Sequence, residues 1–172
     1  MNRLARGLVV AALHLTLVAS LGAKLLVDRA TRPRVWVQAA PYDPSLPIRG
    51  RYVSVQLQVE LRGASSSGAE RMPPVAVTLR AEGDRLVAEQ NERQRYDPSD
   101  LHARFLRRGD QTLAVLDQPV AFFIPEHAVD PSRRPPGEQL WVEATIPRKG
   151  PPRPIRLGVS KDGGPIEPLD LD

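Results

Sequence analysis

A serine beside a lysine is the first combination in this sequence that could carry out a reaction, because a desolvated lysine amine can activate a serine hydroxyl. The chain has three lysines, Lys24, Lys149 and Lys161, and Ser45 with Lys149 is the best available pair. A catalytic lysine must be withdrawn from water, whereas Lys149 and Lys161 fall in turn-like stretches. A Ser/Lys hydrolase is therefore kept as the alternative to a non-enzymatic function.

The histidines give little support for a catalytic triad or a metal centre. His14 lies in an apolar run, and His102 lies at the edge of a predicted strand without a Gly-x-Ser-x-Gly turn anywhere in the chain. Glu126, His127 and Asp130 could be metal ligands, but no second well-spaced histidine accompanies them. We therefore predict no catalytic residue, no metal site and no cofactor.

Two pairs of carboxylates, Asp97 with Asp100 and Asp43 with Glu126, have the residue types that glycoside hydrolysis requires. The sequence neither supports nor excludes either pair. Aromatic residues make up only 5% of the chain, which argues against a cleft that stacks on sugars.

The elements that must position these side chains are strands, and the clearest of them lies within residues 49–62. Every odd residue from Val53 to Leu61 is apolar, whereas the even residues from Tyr52 to Arg62 are polar or amphipathic. This period of two is typical of a strand with one face in a core and the other in water.

Shorter segments repeat this pattern along the chain. Eighteen prolines argue against a helical bundle, because proline is excluded from helix interiors and central strands. Loops or turns are predicted at 41–50, 63–74, 127–139 and 147–154. Eight or nine strands at roughly ten-residue spacing predict a mostly-β domain, either a small β-sandwich or a barrel. Besides the stretch above, the predicted strands are 34–39, 75–80, 85–89, 102–107, 112–116, 120–124, 139–146 and 155–160.

Residues 1–33 are predicted to be a membrane anchor with a juxtamembrane segment, and residues 34–172 the β-rich domain. A helix over residues 8–27 would be about 30 Å long, which matches the hydrocarbon core of a bilayer. The apolar run exceeds that of a cleaved signal peptide, so we expect an uncleaved single-pass anchor in the cytoplasmic membrane. Basic residues flank both ends of the run, but a short N-terminal tail normally stays inside, which places the domain on the extracytoplasmic side.

Charge and cysteine content exclude several classes of protein. The formal net charge is +4, and this excess lies entirely in residues 1–33, so residues 34–172 are neutral overall. A nucleic-acid-binding domain needs a basic excess on its folded part, so we predict no nucleic-acid partner. The absence of cysteine excludes disulfides, thiolate metal sites and a cysteine nucleophile.

Residues 41–57 resemble the GDYXXLXY domain family, in which an N-terminal membrane helix precedes a P-x-D-P segment and then an R-G-D-Y-x-x-L-x-Y strand. Arg51 stands where the family has Asp, Val55 where it has Leu, and Leu57 where it has Tyr. The residues that match are Pro41, Asp43, Pro44, Arg49, Gly50 and Tyr52.

The resemblance continues towards the C-terminus. The segment Phe123-Ile124-Pro125-Glu126 is similar to the family's F-V-P-E segment, and residues 140–163 resemble its closing pair of strands. The resemblance implies a membrane-tethered extracytoplasmic domain that acts with a multi-spanning membrane protein, and it brings no established activity. The binding residues that it implies are Pro41, Asp43, Pro44, Arg49, Gly50, Tyr52, Pro125 and Glu126.

These observations predict a membrane-anchored, β-rich accessory or interaction module that contacts the lipid bilayer through residues 8–27. The loop at residues 41–51 is the segment that we expect to recognise a partner. The alternative is a membrane-tethered Ser/Lys hydrolase, because an anchor, a β domain and a proline-flanked loop are similar to signal-peptidase-like proteins.

Overall fold

An N-terminal helix precedes ten strands in the part of the chain that the computed structural model describes, residues 3–42, 52–62, 74–91, 100–109, 111–147 and 150–171. Two compact units, Met1–Arg32 and Pro33–Asp172, make up the chain. The first unit contains the helix, and the second contains all of the strands.

The helix, α1, runs from Arg3 to Thr31 and confirms the predicted apolar helix. Its stretch Ala5–Thr31 is long and apolar enough to cross a membrane. Large apolar side chains along it are exposed, including Leu15 at 70% and Val18 at 71%. A helix that presents apolar side chains on all sides is suited to an apolar environment.

The three polar residues within the apolar run find hydrogen-bonding partners on the helix itself. The hydroxyls of Thr16 and Ser20 each donate to a backbone carbonyl of the preceding turn at 2.8 Å. His14 Nδ1 lies 2.8 Å from the carbonyl oxygen of Val10 and donates to it when that nitrogen carries the proton. Internal bonds of this kind allow polar side chains to lie in hydrocarbon without water.

The strands confirm the prediction of a mostly-β domain, and β10 is a strand that the sequence did not predict. Their bounds are β1 Arg34–Pro41, β2 Tyr52–Arg62, β3 Val75–Glu82, β4 Arg85–Gln90, β5 Leu101–Arg108, β6 Gln111–Leu116, β7 Val120–Phe123, β8 Glu138–Thr145, β9 Arg153–Lys161 and β10 Glu167–Pro168.

The long strand β2 holds the domain together, because four other strands pair with it. Along one edge it pairs with β1 and then with β4. Along the other edge it pairs with β7 and then with β6. Its eleven residues give it the length to bridge both pairs of neighbours, which shorter strands of the domain lack.

Six strands close into a barrel in the order β1–β4–β3–β5–β6–β2, and the pairing of β2 with β1 completes the ring. The β4 strand runs parallel to both β1 and β2, whereas the other pairings are antiparallel. The β8, β9 and β10 strands extend the sheet from the second edge of β1. Of the two predicted architectures, the barrel is therefore the one that forms, and closure removes free strand edges.

One face of every long strand contributes to a single hydrophobic core. The strand register places buried residues of β2 opposite buried residues of the neighbouring strands. Val59, for example, lies opposite Ala114, which is fully buried. Leu57, Leu116 and Leu140 are fully buried side chains from three different strands. The opposite face, which carries the even-numbered residues of β1 and β2, is called the outer face below.

The structure has a hairpin between β3 and β4, with a glycine at the turn. Gly83 has a φ of 63° and is the first of the two residues that connect Glu82 to its partner Arg85. A positive φ at this position is what a type II′ hairpin turn requires, and glycine adopts it without strain.

Two predicted loops differ from the structure. The turn predicted at 147–154 ends early, because β9 already begins at Arg153 and Pro154 pairs with Ala144 beside a β-bulge. A proline is tolerated there because the ladder is irregular and does not need its missing N–H. The predicted surface excursion at 127–139 is anchored by Pro131, which is fully buried, and its end belongs to β8.

Candidate functional site

Four of the predicted binding residues lie in the described chain, and three strands bring them to one corner of the sheet. Pro41 ends β1, Tyr52 begins β2, and Pro125 and Glu126 follow β7 after Ile124. Tyr52 lies opposite Phe123, the last residue of β7. The other four predicted residues lie outside the described chain: Asp43, Pro44, Arg49 and Gly50.

The same corner carries an exposed group of rings, Tyr42, Tyr52 and Phe123, which we call the aromatic corner. The Tyr52 and Phe123 rings meet edge to face, with centroids 6.3 Å apart and planes at 63°. The Tyr42 backbone N–H donates to the Ser54 carbonyl at 3.1 Å, which places Tyr42 beside the start of β2. Tyr42 is 44% exposed, Tyr52 41% and Phe123 79%.

The exposure of these rings distinguishes the corner from the rest of the domain. The chain has only eight aromatic residues, and three of them are exposed at this corner. Burial of such rings supplies much of the binding energy at protein interfaces, where tyrosine is enriched. Glu126 is exposed next to them and can contribute to a polar rim.

A second feature is a cleft of about 660 Å³ that four arginines line. The arginine cleft is formed by Arg107 and Arg108 on one side and Arg133 and Arg134 on the other, with Glu138 as its acidic residue. The first two lie at the end of β5, and the others precede β8. Two separate parts of the chain thus contribute two guanidinium groups each.

Polar groups and one predicted residue complete the arginine cleft. The side chains of Gln58, Ser132 and Gln139 line it, and so does Pro41. Gln139 Nε2 donates to the carbonyl oxygens of Ala39 at 2.9 Å and of its own neighbour in β8 at 3.1 Å. This amide fixes the join between β1 and β8 at the wall of the cleft.

A smaller cavity of about 240 Å³ lies on the outer face between Trp36 and Trp141, and Gln58 also lines it. The guanidinium carbon of Arg156 lies 5.3 Å from the centroid of the Trp36 ring, and Arg156 Nε donates to Glu143 at 2.6 Å. This arrangement holds Trp36 in place.

Two polar atoms of the outer face are buried without a partner in the described chain, Trp141 Nε1 and Gln56 Nε2. Gln56 lies opposite Ala40 in the β1–β2 pairing, and Trp141 lies opposite Gln38 in the β1–β8 pairing. A buried N–H group without an acceptor is unfavourable.

The pairs considered for hydrolysis are not assembled by the described chain. Ser45, Lys149, Asp43 and Asp97 lie outside the described residues. The remaining lysine of the domain, Lys161, is 71% exposed and lies 3.4 Å from a Glu138 carboxylate oxygen. An exposed, ion-paired lysine lacks the desolvation that a catalytic amine needs.

The histidine and metal candidates also have structural explanations. His127 is exposed, and Asp130 Oδ1 accepts hydrogen bonds from the Ser132 backbone N–H at 2.9 Å and hydroxyl at 2.7 Å. The aspartate therefore stabilises a local turn. Among the described residues no group of three or more His, Cys, Asp or Glu side chains could hold a metal ion.

Sequence reasoning missed the arginine cleft, although a signal was present. Arginine occurs as a doublet at 107–108 before Gly109 and again at 133–134 before a proline pair. Each doublet alone is typical of a solvated turn. Only the fold brings together the two doublets, which lie 25 residues apart in sequence.

No protein-family model matches the chain, and neither curated proteins nor solved structures contain a match.

Proposed function

We propose that this protein is a membrane-anchored interaction module that binds a multi-spanning membrane protein through its aromatic corner. The observation that carries the proposal is the exposure of Tyr42, Tyr52 and Phe123 at the ends of β1, β2 and β7, where four of the predicted binding residues lie. The expected mode of action is non-enzymatic, because the described residues at the corner include no nucleophile with an activating partner.

Burial of the aromatic corner would supply substantial binding energy. Phe123 has 79% of its surface in water, and complete burial of one such side chain contributes about 1.5–3 kcal/mol. Tyr52 and Tyr42 add apolar area together with hydroxyl groups that can bond at the edge of an interface. Rings that are already packed edge to face lose little conformational freedom on binding.

A membrane-embedded partner is favoured because α1 would hold the domain at the bilayer. Residues 32 and 33 connect α1 to β1, so insertion of α1 into the bilayer would tether the domain to the membrane. A partner in the same membrane then meets the domain at high effective concentration, so that a small contact surface suffices.

The orientation belongs to the same proposal. We expect the domain on the extracytoplasmic side of the cytoplasmic membrane, since the short N-terminal tail with Arg3 and Arg6 favours N-inside insertion. Reporter fusions after Asp172 test this expectation. Activity of an extracytoplasmic reporter alone supports it, and activity of a cytoplasmic reporter alone would overturn it.

Site-specific photo-crosslinking in native membranes tests the docking surface. A photoreactive phenylalanine analogue at position 123 is expected to give an adduct with a multi-spanning membrane protein, identified by mass spectrometry. The matched control places the analogue at Arg80 on β3, whose side chain is 64% exposed. That position is expected to give no such adduct.

The substitution Tyr52→Ala in the position-123 protein is expected to remove the adduct, because it deletes the ring that packs against position 123. An adduct of equal yield from positions 80 and 123, unaffected by Tyr52→Ala, would mean that the aromatic corner is not the docking surface.

A further inference from the structure

We infer that the arginine cleft is a binding site for a small organic polyanion, a ligand that carries two or three phosphate or carboxylate groups. Four arginines line the cleft, and Glu138 is the one acidic residue among the described residues of the lining. The lining therefore has an excess of three positive charges in a domain that is neutral overall. Guanidinium groups are suited to this role because each presents several N–H donors to phosphate or carboxylate oxygens.

The one carboxylate of the lining is already shared between two cations. Arg134 Nη1 lies 3.5 Å from one Glu138 oxygen, and Lys161 Nζ lies 3.4 Å from the other. Glu138 therefore neutralises at most one of them and leaves the remaining positive charge uncompensated. The Nε atom of Arg134 is buried without a partner in the described chain, so Glu138 does not saturate the donors of this guanidinium group.

Asp130, which precedes the second arginine doublet, is also engaged. Asp130 accepts two hydrogen bonds from Ser132, and its distance to Arg133 Nε is 3.9 Å, at the limit of an ion pair. Arg133 is 76% exposed, so that contact is weak. The guanidinium of Arg133 thus keeps most of its capacity to bind an anion.

The opposite side of the cleft carries two adjacent cations. Arg107 Nε donates to the Gly109 carbonyl at 3.3 Å, and neither Arg107 nor Arg108 forms an ion pair with the described part of the chain. Bringing these groups together with Arg133 and Arg134 raises the positive potential of the cleft. A bound anion would relieve that repulsion.

The size of the cleft indicates the size of the ligand. A volume of about 660 Å³ lies within the range of sites for organic ligands, roughly 300–1,000 Å³, and greatly exceeds that of a single inorganic ion. The cleft uses none of the three rings of the aromatic corner, so the inference stands apart from the proposed docking function.

The test is calorimetric titration of the full chain in phosphatidylcholine nanodiscs at 0.15 M salt, with tripolyphosphate and citrate as separate probes. We expect binding of at least one probe. The double variant R107Q/R108Q is expected to weaken it about tenfold or more, because it removes two charge-assisted contacts.

The control variant R62Q/R80Q removes the same two charges from ion-paired positions that are 61% and 64% exposed and do not line the cleft. We expect its affinity to change less than about twofold, since exposed charges outside the site act only through screened, long-range attraction. An equal loss in both double variants would overturn the proposal, and so would the absence of binding to both probes.

A gain-of-affinity variant separates binding from folding. Glu138→Gln removes the one carboxylate among the described lining residues and is expected to tighten binding about threefold or more, because the probe no longer competes with it. Weaker binding by this variant, with an unchanged melting temperature, would contradict the inference.

Nanodiscs that contain phosphatidylglycerol identify the source of the anion. A lower apparent affinity for the probe there would indicate that lipid headgroups occupy the cleft, and an unchanged affinity would indicate a solute. Both results support an anion site and differ only in where the anion comes from.

Discussion

The two faces of β2 have opposite uses, although they alternate along the same eleven residues. The inner face packs Val55 and Leu57 into the core with no exposed surface. The outer face carries Tyr52 at the aromatic corner and Gln58 in the wall of the arginine cleft. One strand therefore holds the barrel closed and also takes part in both candidate sites.

Substitutions on β2 and on the strands beside it therefore differ in their effects according to the face that carries the residue. Inner-face changes act on stability, because the core on that side is continuous and close-packed. Outer-face changes at exposed positions such as Tyr52 act on binding, whereas those at covered positions such as Gln56 act on local packing and hydrogen bonding. Each of the following experiments tests one side of that division.

The largest effect is expected for Leu57→Ala on the inner face. Leu57 is fully buried at the centre of β2, and truncation would leave a cavity that costs about 2–5 kcal/mol. The free energy of unfolding can be measured by urea titration in detergent with tryptophan fluorescence, since Trp36 and Trp141 are the only tryptophans and both lie in the β domain. A loss below about 1 kcal/mol would show that the interior is loosely packed there.

A smaller loss is expected for Gly158→Ala, which tests packing on the outer face. An added Cβ would lie 2.8 Å from Trp36 Cζ3 and 2.9 Å from Ile166 Cγ2, so the ring must move. Such overpacking costs about 1–3 kcal/mol. The double variant Gly158→Ala with Trp36→Leu makes room for the methyl group and should be more stable than the sum of the two single changes. Strict additivity would mean that the ring does not restrict position 158.

A gain in stability is expected for Gln56→Met. The Gln56 amide nitrogen is buried without a partner in the described chain, so replacement by an apolar side chain of similar length removes an unfavourable group and adds about 1 kcal/mol. Gln139→Met is the matched control, because that amide donates two hydrogen bonds and its loss should destabilise by a similar amount. Equal destabilisation by both would show that Gln56 is bonded in solution.

The smallest effect on stability is expected for Phe123→Ala. The side chain is 79% exposed, and surface substitutions of this kind change the free energy of unfolding by less than about 0.5 kcal/mol. Co-purification of the multi-spanning partner from gently solubilised membranes, by contrast, should be lost. A fall in stability of more than about 1 kcal/mol would assign the ring to the fold and remove the aromatic corner from the class of binding surfaces.

The strands could be predicted well from sequence because period-two alternation is a local property. Residues 52–62 alternate in this way almost without interruption, and the glycine at position 83 indicates the hairpin between β3 and β4. Strand pairing could not be predicted in the same way, since alternation states which face is buried but not which strand lies alongside. No sequence pattern predicts that β4 pairs in parallel with β1 and β2.

The two candidate sites differ in the same way, because one includes residues from a local sequence motif and the other depends on long-range strand pairing. Pro41, Tyr52, Pro125 and Glu126 could be selected from sequence through a resemblance, and the fold brings them to one corner. The arginine doublets at 107–108 and 133–134 could not be joined in advance, because only the arrangement of β5, β2, β1 and β8 brings one doublet across from the other.

The pairing of β1 with β8 has a consequence for the order of events during synthesis. Gln139 donates to Ala39 across 100 residues of chain, and the whole β1–β8 ladder spans a similar separation. During synthesis β1 therefore lacks its partner β8 until about four-fifths of the polypeptide has been made. The entropic cost of closing so long a loop comes before the stabilising contacts between β1 and β8 can form. We therefore expect the domain to fold slowly, and only after β8 has been synthesised.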